Sequence, residues 1–374
     1  MHNKNNKGTE FPILRLDHLI RLTDSTGIIQ HARYTLPDFA TGYTTDDNAR
    51  ALVLALRLLE PGAPPVEMEK VLELAERYMS FLVYVQRPDG KFHNFVHYTR
   101  DFADEEGSED AFGRAMLACA YAMTQDNHKG ISMASKAVWD RAARWISKVC
   151  SPRGKAHLIL AVARLLTFQR SRTSEVSEQE QPLPLVESLT GLADGLVRQY
   201  RAVSARDWQW FEDYLTYSNG IMPEALFWAY RHTGNQDYLD IATESLEFLT
   251  WINFRHGKLK LVGNHGWYFR GRNMGQFDEQ PVDAAHMVEA YAAAYRATGE
   301  EEYQTRMIKA FEWFLGKNIL GVPVYDEETG GCHDGLTPSG PNLNEGAESL
   351  LSYLLSYVTV YENLDEARIA EKTA

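Results

Sequence analysis

The apolar positions of this chain follow two helical patterns that alternate along its whole length. In the first pattern, apolar residues recur every three or four positions and the opposite face is charged, as a helix with one buried stripe requires. In the second, small residues such as alanine are frequent and the segment is apolar nearly all round, which suits burial on several faces. The first pattern predicts outer helices at 14–22, 66–86, 138–149, 186–202, 238–254 and 301–319. The second predicts inner helices at 47–59, 110–123, 155–168, 223–231, 282–297 and 347–361.

Strict alternation of six outer and six inner helices predicts an all-α fold, an (α/α)6 toroid of six helical hairpins. The alternative is an open α-solenoid, whose terminal repeats need polar outer faces. The last helix, 350–361, is too apolar to serve as such a cap, which favours a closed ring. No linker of different composition divides the chain, so we predict a single domain over 1–374, with 1–11 as a flexible N-terminal tail.

The links between helices differ at the two ends of the predicted toroid. Links from inner to outer helices are mostly short, whereas links from outer to inner helices are mostly long and rich in glycine, aromatic residues and carboxylates, as at 87–92, 255–260 and 328–335. Glycine turns beside extended stretches predict short β-hairpins in these long links. The polar segment 171–181, on the opposite end, is predicted to be disordered. We therefore expect the chemistry of the protein at the end that carries the long links.

Charge and cysteine content narrow the class of protein. The formal net charge of −13 argues against a nucleic-acid groove, which needs a basic face. The three cysteines (Cys119, Cys150 and Cys332) are odd in number and lack metal-ligand spacing. The sequence has no long apolar run and no signal-peptide pattern at its start, so we expect a cytoplasmic protein that does not bind a membrane.

Carboxylates stand at the starts of the inner helices, where free N–H groups and the positive end of the helix dipole favour anions. In the first of these, Thr45 or Asp46 is a plausible N-cap, which leaves Asp47 free to face a pocket. A carboxylate at a helix start is often only a cap. Four carboxylates from different hairpins are nevertheless candidate catalytic groups: Asp47, Asp110, Asp283 and Glu345.

Aromatic residues accompany the carboxylates in the long links, although a core position is the simpler explanation for any one of them. Aromatic rings stack on the apolar faces of pyranose sugars, while sugar hydroxyls need donors and acceptors of fixed direction. The candidate substrate-binding residues are Asp46, Glu109, Trp208, Trp210, Glu212, Tyr217, Trp267, Arg270, Arg272 and His333. The sequence has no P-loop, nucleophile elbow, dinucleotide fingerprint or metal-binding histidine motif, so we expect no cofactor and no metal.

Three short motifs carry a family resemblance: Tyr-Thr-Thr-Asp-Asp-Asn-Ala-Arg at 43–50, Ser-Glu-Asp-Ala-Phe-Gly-Arg-Ala at 108–115, and Asn-Glu-Gly-Ala-Glu-Ser at 344–349. Together with the alternating helices they resemble the six-hairpin glycosidase-like superfamily. More narrowly, the chain is similar to a barrel found attached to, or encoded near, glycosyltransferases and mannoside phosphorylases. The resemblance implies an oligosaccharide or small-sugar substrate and a functional association with other carbohydrate-processing enzymes. The superfamily's hydrolases mostly invert the anomeric centre, but it also includes epimerases, lyases and phosphorylases.

The leading hypothesis is a glycoside hydrolase in which two carboxylates act as general acid and general base. Asp47 and Asp110 are the preferred pair, with Asp283 and Glu345 in reserve, and inversion would need roughly 6.5–9.5 Å between the two. The alternative is a sugar epimerase or isomerase, for which His265, His286 and His333 would be the candidate bases. A third hypothesis is a non-catalytic carbohydrate-binding barrel.

Overall fold

The twelve predicted helices are present in the computed structural model, which describes residues 11–172 and 183–373. The outer helices are α1 (Asp17–Leu22), α3 (Met68–Val85), α5 (Lys129–Ala142), α7 (Leu183–Val203), α9 (Gln236–Asn253) and α11 (Glu301–Phe311). The inner helices are α2 (Thr45–Leu58), α4 (Glu109–Met123), α6 (Pro152–Arg172), α8 (Ile221–Thr233), α10 (Pro281–Thr298) and α12 (Ala347–Thr373). The predicted flexible tail at 1–11 and disordered segment at 171–181 lie outside the described residues, except for Phe11 and for Ser171 and Arg172, which end α6.

The inner helices form a closed ring. Each packs against the next in the order α2, α4, α6, α8, α10 and α12, and α12 packs back against α2. Five outer helices each pack against the inner helix that precedes them, and α1 packs against α12, so the two ends of the described chain make the sixth hairpin. The (α/α)6 toroid is therefore confirmed, and an open solenoid is excluded.

Burial explains why the two helix patterns differ. In α2, every residue from Asp47 to Leu58 is buried, and α10 buries alanines on several sides because it contacts two inner neighbours and one outer helix. The outer helix α3 buries a single stripe that includes Val71, Tyr78 and Val85. Small side chains on the inner helices allow the close approach that a six-membered ring requires.

Short antiparallel strand pairs occupy the long links, as predicted. Local hairpins are formed by β1 (Ala32–Arg33) with β2 (Leu36–Pro37), β6 (Phe254–Arg255) with β7 (Lys258–Leu259), β9 (Tyr325–Asp326) with β10 (Gly331–Cys332), and β11 (Leu336–Thr337) with β12 (Gly340–Pro341). Two pairs join different links: β3 (Tyr43–Thr44) with β4 (Phe95–Val96), and β5 (Tyr214–Leu215) with β8 (Tyr268–Phe269). These two pairs tie neighbouring links together over one end of the ring.

The third outer helix departs most from its predicted bounds of 138–149. Helix α5 begins at Lys129, and a 3-10 segment covers Ala143–Lys148. The buried stripe of α5 runs through Ile131, Ser135 and Val138, and the serine interrupts the apolar pattern by which the helix start would be recognised. Within 11–172 and 183–373, no helix combines the length and the hydropathy of a membrane span.

Candidate active site

The first turns of the inner helices bring charged side chains together on the barrel axis. Asp46 Oδ1 lies 2.8 Å from Arg114 Nε and 3.5 Å from Arg50 Nη2, and the same Arg50 nitrogen donates to Glu348 Oε2 at 2.8 Å. Helices α2, α4 and α12 are thus joined by ion pairs across the ring. We call the following set the axial cluster: Asp46, Arg50, Asp110, Arg114, His157, Asp283 and Glu348.

Asp110 is the carboxylate that cations hold most strongly. Its Oδ1 lies 3.0 Å from His157 Nε2, and its Oδ2 lies 3.6 Å from Arg114 Nε. Burial alone would favour the neutral acid, but Arg114 and His157 hold the pKa of Asp110 well below its usual range. Burial and the Arg114 charge in turn lower the pKa of His157 to about 4. At neutral pH the pair therefore consists of an ionised carboxylate and a neutral imidazole.

Burial, not a neighbouring cation, dominates the surroundings of Asp283. Its Oδ1 accepts the backbone N–H of Ser218 at 2.6 Å, whereas its Oδ2 has no hydrogen-bond partner among the described residues. The residue is 5% exposed, and this burial raises the pKa of Asp283 to about 8 despite the bond from Ser218. Ser218, whose φ of 52° is unusual for a non-glycine residue, also places its hydroxyl 3.4 Å from Arg114 Nη2. Ser218 thus connects a protonated carboxyl to the rest of the axial cluster.

Asp47 is held by the start of its own helix. Thr44, rather than the predicted Thr45 or Asp46, is the N-cap of α2: its hydroxyl accepts the Asp47 N–H at 3.0 Å and donates to Asp47 Oδ2 at 2.7 Å. Asp47 Oδ1 lies 3.2 Å from Arg50. Burial raises the pKa of Asp47 to about 7. Because both oxygens are engaged, Asp47 does not face a pocket freely, and that expectation was wrong.

The loop before α8 closes over one side of the axial cluster and is anchored by Arg153. This guanidinium donates to Glu212 Oε2 at 2.9 Å and to the Tyr217 carbonyl at 2.7 Å, and it lies 4.8 Å from the centre of the Tyr217 ring. Glu212 is therefore occupied by an ion pair. Tyr217 is 38% exposed, and burial together with the nearby Asp110 carboxylate raises its pKa. Its exposed ring is available to a ligand at the mouth of the cluster.

Other predicted site residues lie away from the axial cluster. Glu109 points to the start of α6, where its carboxylate accepts the N–H groups of Cys150 and Ser151. Glu345 lies beside the β9–β10 hairpin, where Thr329 donates to both of its oxygens.

The remaining predicted site residues also lie outside the axial cluster. His333 Nδ1 is 3.7 Å from Glu345, so these two residues are neighbours but are separate from the cluster. Arg270 pairs with Asp207, and Arg272 lies over the Phe269 ring. Half-buried Trp267 lies in the same segment between α9 and α10.

Two of the three tryptophans predicted to stack on a sugar, Trp208 and Trp210, belong to the core. Trp208 is 2% exposed and its ring lies edge-on to Phe248 and Tyr268, while Trp210 is fully buried against Phe211 and Phe248. Neither ring has a face available to a ligand. The predicted stacking role is therefore wrong for both, because their link packs onto the outer helices α7 and α9.

Replacing Trp210 with alanine is expected to lower the free energy of unfolding by about 3–5 kcal/mol, because it removes a large buried ring and leaves a cavity. Denaturant unfolding measures this change. Trp251→Ala is the control, since Trp251 is mostly exposed on α9 and its loss should change the free energy by less than about 0.5 kcal/mol. A Trp210→Ala protein of unchanged stability would contradict the core assignment.

Several charged residues of the site were not anticipated from the sequence: Arg50, Arg114, His157 and Glu348 of the axial cluster, and Arg153 beside it. Two of them follow an aspartate by four positions, as Asp46–Arg50 and Asp110–Arg114, which is the spacing at which side chains meet on one helix face. The two arginines could therefore have been predicted from the sequence. The sequence did not indicate that Glu348, and not Glu345, reaches the cluster, because this depends on where α12 begins.

A cavity of about 770 Å³ extends along the axis on the side of the axial cluster away from the long links. Arg50, Arg114, His157 and His286 line the end of the cavity beside the cluster. The far end is lined by residues of the last turns of the inner helices, including Arg57 and Glu362. The large cavity therefore lies within the barrel, whereas the sequence predicted a crater at the long-link end.

Solved structures of similar fold include carbohydrate-processing proteins. A sugar epimerase from a ruminal bacterium has a TM-score of 0.69 at 13% sequence identity, covering 94% of this chain and 95% of that one. The cellobiose 2-epimerase of Bacillus thermoamylovorans has a TM-score of 0.66 at 12% identity, covering 92% of this chain and 95% of that one.

An α-1,6-mannanase from a Salegentibacter species, an inactive variant with two consecutive aspartates replaced by alanine and in complex with α-1,6-mannotetrose, has a TM-score of 0.61 at 12% identity, covering 94% of this chain and 97% of that one. No protein-family model and no curated protein sequence matches the chain. At these identities the likeness shows the fold, which is the barrel that the resemblance to six-hairpin glycosidase-like proteins implied.

Proposed function

We propose that this protein is a glycoside hydrolase that inverts the anomeric centre of an oligosaccharide, with Asp283 as general acid and Asp110 as general base. The observation that carries the proposal is the contrast between the surroundings of these two carboxyls. Arg114 and His157 flank Asp110, whereas Asp283 is buried with one oxygen unpaired among the described residues, and Ser218 and Arg114 connect the two. Environments that push two carboxyl pKa values apart are characteristic of acid and base pairs in glycoside hydrolysis. Asp283 replaces Asp47 in the sequence-based pair because it has an oxygen free to donate a proton.

The reaction balances with these two groups and water. Asp283 gives its proton to the glycosidic oxygen as the bond to the anomeric carbon breaks. Asp110 takes a proton from a water molecule, and the resulting hydroxide oxygen bonds to the anomeric carbon from the opposite face. Exchange of protons with solvent then restores an ionised Asp110 and a neutral Asp283. Arg114 and His157 keep Asp110 ionised before the water arrives.

Substrate would approach from the end with the long links. Partly exposed carboxylates of Asp46 and Glu348 are acceptors for sugar hydroxyls, and the Tyr217 ring offers an apolar face to a pyranose. Because Asp283 is buried under Ser218, its proton reaches the glycosidic oxygen only if the Tyr217–Asn219 turn moves aside.

The solved structures support the substrate class. The mannanase in complex with mannotetrose was inactivated at two consecutive aspartates, and this chain has consecutive aspartates, Asp46 and Asp47, at the start of an inner helix. We therefore place mannose-containing oligosaccharides first among the substrates to be tested.

The test is incubation of the purified protein with manno-, gluco- and galacto-oligosaccharides, followed by mass spectrometry and NMR. Chain shortening with the addition of water supports the proposal, and the anomer that appears first reports inversion or retention. Binding that saturates without any product would overturn it in favour of a carbohydrate-binding barrel.

An epimerase is the second candidate, because His157 and His286 both line the axial cavity with ring centres 6.4 Å apart. Of the three histidines considered for this activity from the sequence, only His286 lies there; His265 and His333 do not. Two bases that each reach the same sugar carbon from opposite faces, at about 3 Å each, would lie roughly 6 Å apart. Deuterium incorporation from heavy water into sugar carbon, at unchanged sugar mass apart from the label, would favour the epimerase.

The protonated Asp283 predicts an unusual pH dependence of stability. Its pKa is about 8 in the folded protein against an ordinary value of 3.8, so the folded state binds one proton more than the unfolded state between these values. The stabilisation from this group is complete below the unfolded pKa and is lost as the pH rises through about 8. Between pH 6 and pH 8 the parent protein should therefore lose about 2 kcal/mol of unfolding free energy that Asp283→Asn does not lose. The free energy of unfolding of the variant minus that of the parent should rise by this amount. Denaturant unfolding at both pH values measures the rise, and a constant difference would contradict it.

A further inference from the structure

A second set of ionisable side chains lines the axial cavity, and the proposed hydrolysis uses none of them. Glu224 lies on α8, and His286 and Glu289 lie one turn apart on α10. One ligand atom from each residue can be chosen so that the three atoms lie within 4.8 Å of one another. Two carboxylates and an imidazole thus converge on one point of the cavity wall.

Burial makes this convergence hard to explain as a simple ion pair. Glu224 is 8% exposed, and its Oε2 has no hydrogen-bond partner among the described residues. His286 is 6% exposed, and its Nδ1 lies 3.3 Å from a Glu289 oxygen without the alignment of a hydrogen bond. A buried carboxylate beside another carboxylate is unfavourable unless one of them takes up a proton or a positive charge compensates both.

Two cations near this group, Arg57 and Arg114, are engaged elsewhere. Arg57 donates to both oxygens of Glu362, and Arg114 pairs with Asp46 and Asp110. Neither guanidinium makes an ion pair with Glu224 or Glu289.

We infer that Glu224, His286 and Glu289 bind one divalent transition-metal ion on the wall of the axial cavity. Two carboxylates and a divalent cation sum to zero charge, which compensates the buried Glu224 beside the partly buried Glu289. An imidazole nitrogen with carboxylate oxygens suits Zn²⁺ or Mn²⁺, whereas Ca²⁺ and Mg²⁺ prefer oxygen ligands alone. Three protein ligands leave a position open to water or to a ligand in the cavity.

The spacing of the three groups is compatible with such an ion. Atoms bound at about 2.0–2.2 Å to one metal lie roughly 3–4 Å from each other, so each side chain needs to shift by less than about 1 Å. The sequence does not reveal the site, because its ligands come from two helices and only His286 and Glu289 are close in the chain.

The test is a calorimetric titration of the chelator-treated protein with Zn²⁺, without any sugar. We expect one ion per folded chain, and we expect Glu289→Gln and His286→Gln each to weaken binding by more than about 100-fold, since loss of an outer-shell partner alone weakens metal affinity 10- to 100-fold. Glu224→Gln keeps the side-chain volume and should abolish the rise in melting temperature that Zn²⁺ gives the parent protein. Circular dichroism checks that each variant is folded.

His333→Gln is the matched control, because Asp326, His333 and Glu345 form another group of three possible ligands in the described part of the chain. This variant should bind Zn²⁺ as the parent does. Loss of binding in His333→Gln with retention in His286→Gln would overturn the inference, and so would the lack of any stoichiometric binding by the parent protein. Either result leaves the hydrolase proposal intact, since Asp110 and Asp283 are not among the ligands.

Discussion

Asp110→Asn is expected to reduce kcat/KM for oligosaccharide hydrolysis by about 10³-fold or more, at the upper end of what general acid–base groups contribute. The amide keeps the shape of the side chain and remains within reach of His157 and Arg114, but it cannot accept a proton from water. Initial rates on the best substrate from the oligosaccharide panel measure the loss. We expect kcat to fall and KM to change little, because the base acts in the transition state and not in binding.

Glu109→Gln is the matched control for Asp110→Asn. The two carboxylates are adjacent in sequence, but Glu109 accepts the N–H groups at the start of α6 instead of facing the axis. Its replacement should leave kcat/KM within a few-fold of the parent value and reduce only stability. If Glu109→Gln lost activity and Asp110→Asn kept it, Asp110 would not be the general base, and Glu109 would have a role that the proposed mechanism lacks.

The architecture could be predicted from the sequence because it rests on local periodicity. The alternating helices and the long glycine-containing links are repeated along the chain, so an error at one helix, such as the late start predicted for α5, does not change the topology. Closure of the ring could also be predicted from the sequence, since an apolar final helix such as α12 needs a neighbouring helix on both sides.

The site was less predictable because it depends on which way individual side chains point. Trp208 and Glu345 have the residue types expected of a sugar site. Trp208 nevertheless belongs to the core, and Glu345 lies beside the β9–β10 hairpin. Thr44 replaces its neighbours as the cap of α2, a shift of one residue that turns Asp47 from a free carboxylate into a hydrogen-bonded one. Helix starts are the least certain feature of a sequence-based assignment, and every candidate carboxylate here stands at one.

The axial cluster combines features that favour catalysis over a purely structural role. Ion pairs among Asp46, Arg50 and Arg114 would suffice to join the helices. They do not require a carboxyl such as Asp283 that is buried with one oxygen unpaired. A residue with such a high energetic penalty in the folded state is a stronger indication of function than the ion pairs around it.

Asp283→Asn tests directly whether Asp283 is the general acid, because the loss of activity should depend on the leaving group of the substrate. With an unactivated oligosaccharide, whose leaving oxygen needs a proton, we expect kcat/KM to fall by about 10³-fold. With an aryl glycoside whose phenolate leaves without protonation, the same variant should lose no more than about 10-fold. The parent enzyme should lose activity as the pH rises through about 8, where Asp283 ionises, and the variant's residual activity on the aryl glycoside should lack this limb.

Asp47→Asn is the control for this experiment, because Asp47 is also a buried carboxyl with a raised pKa but both of its oxygens are engaged at the start of α2. It should lose similar activity on the two substrates, by less than about 10-fold, and retain the alkaline limb. If Asp47→Asn instead showed the large difference between substrates, the general acid would be Asp47, and the unpaired oxygen of Asp283 would need another explanation. Equal losses in Asp283→Asn on both substrates would exclude it as the proton donor.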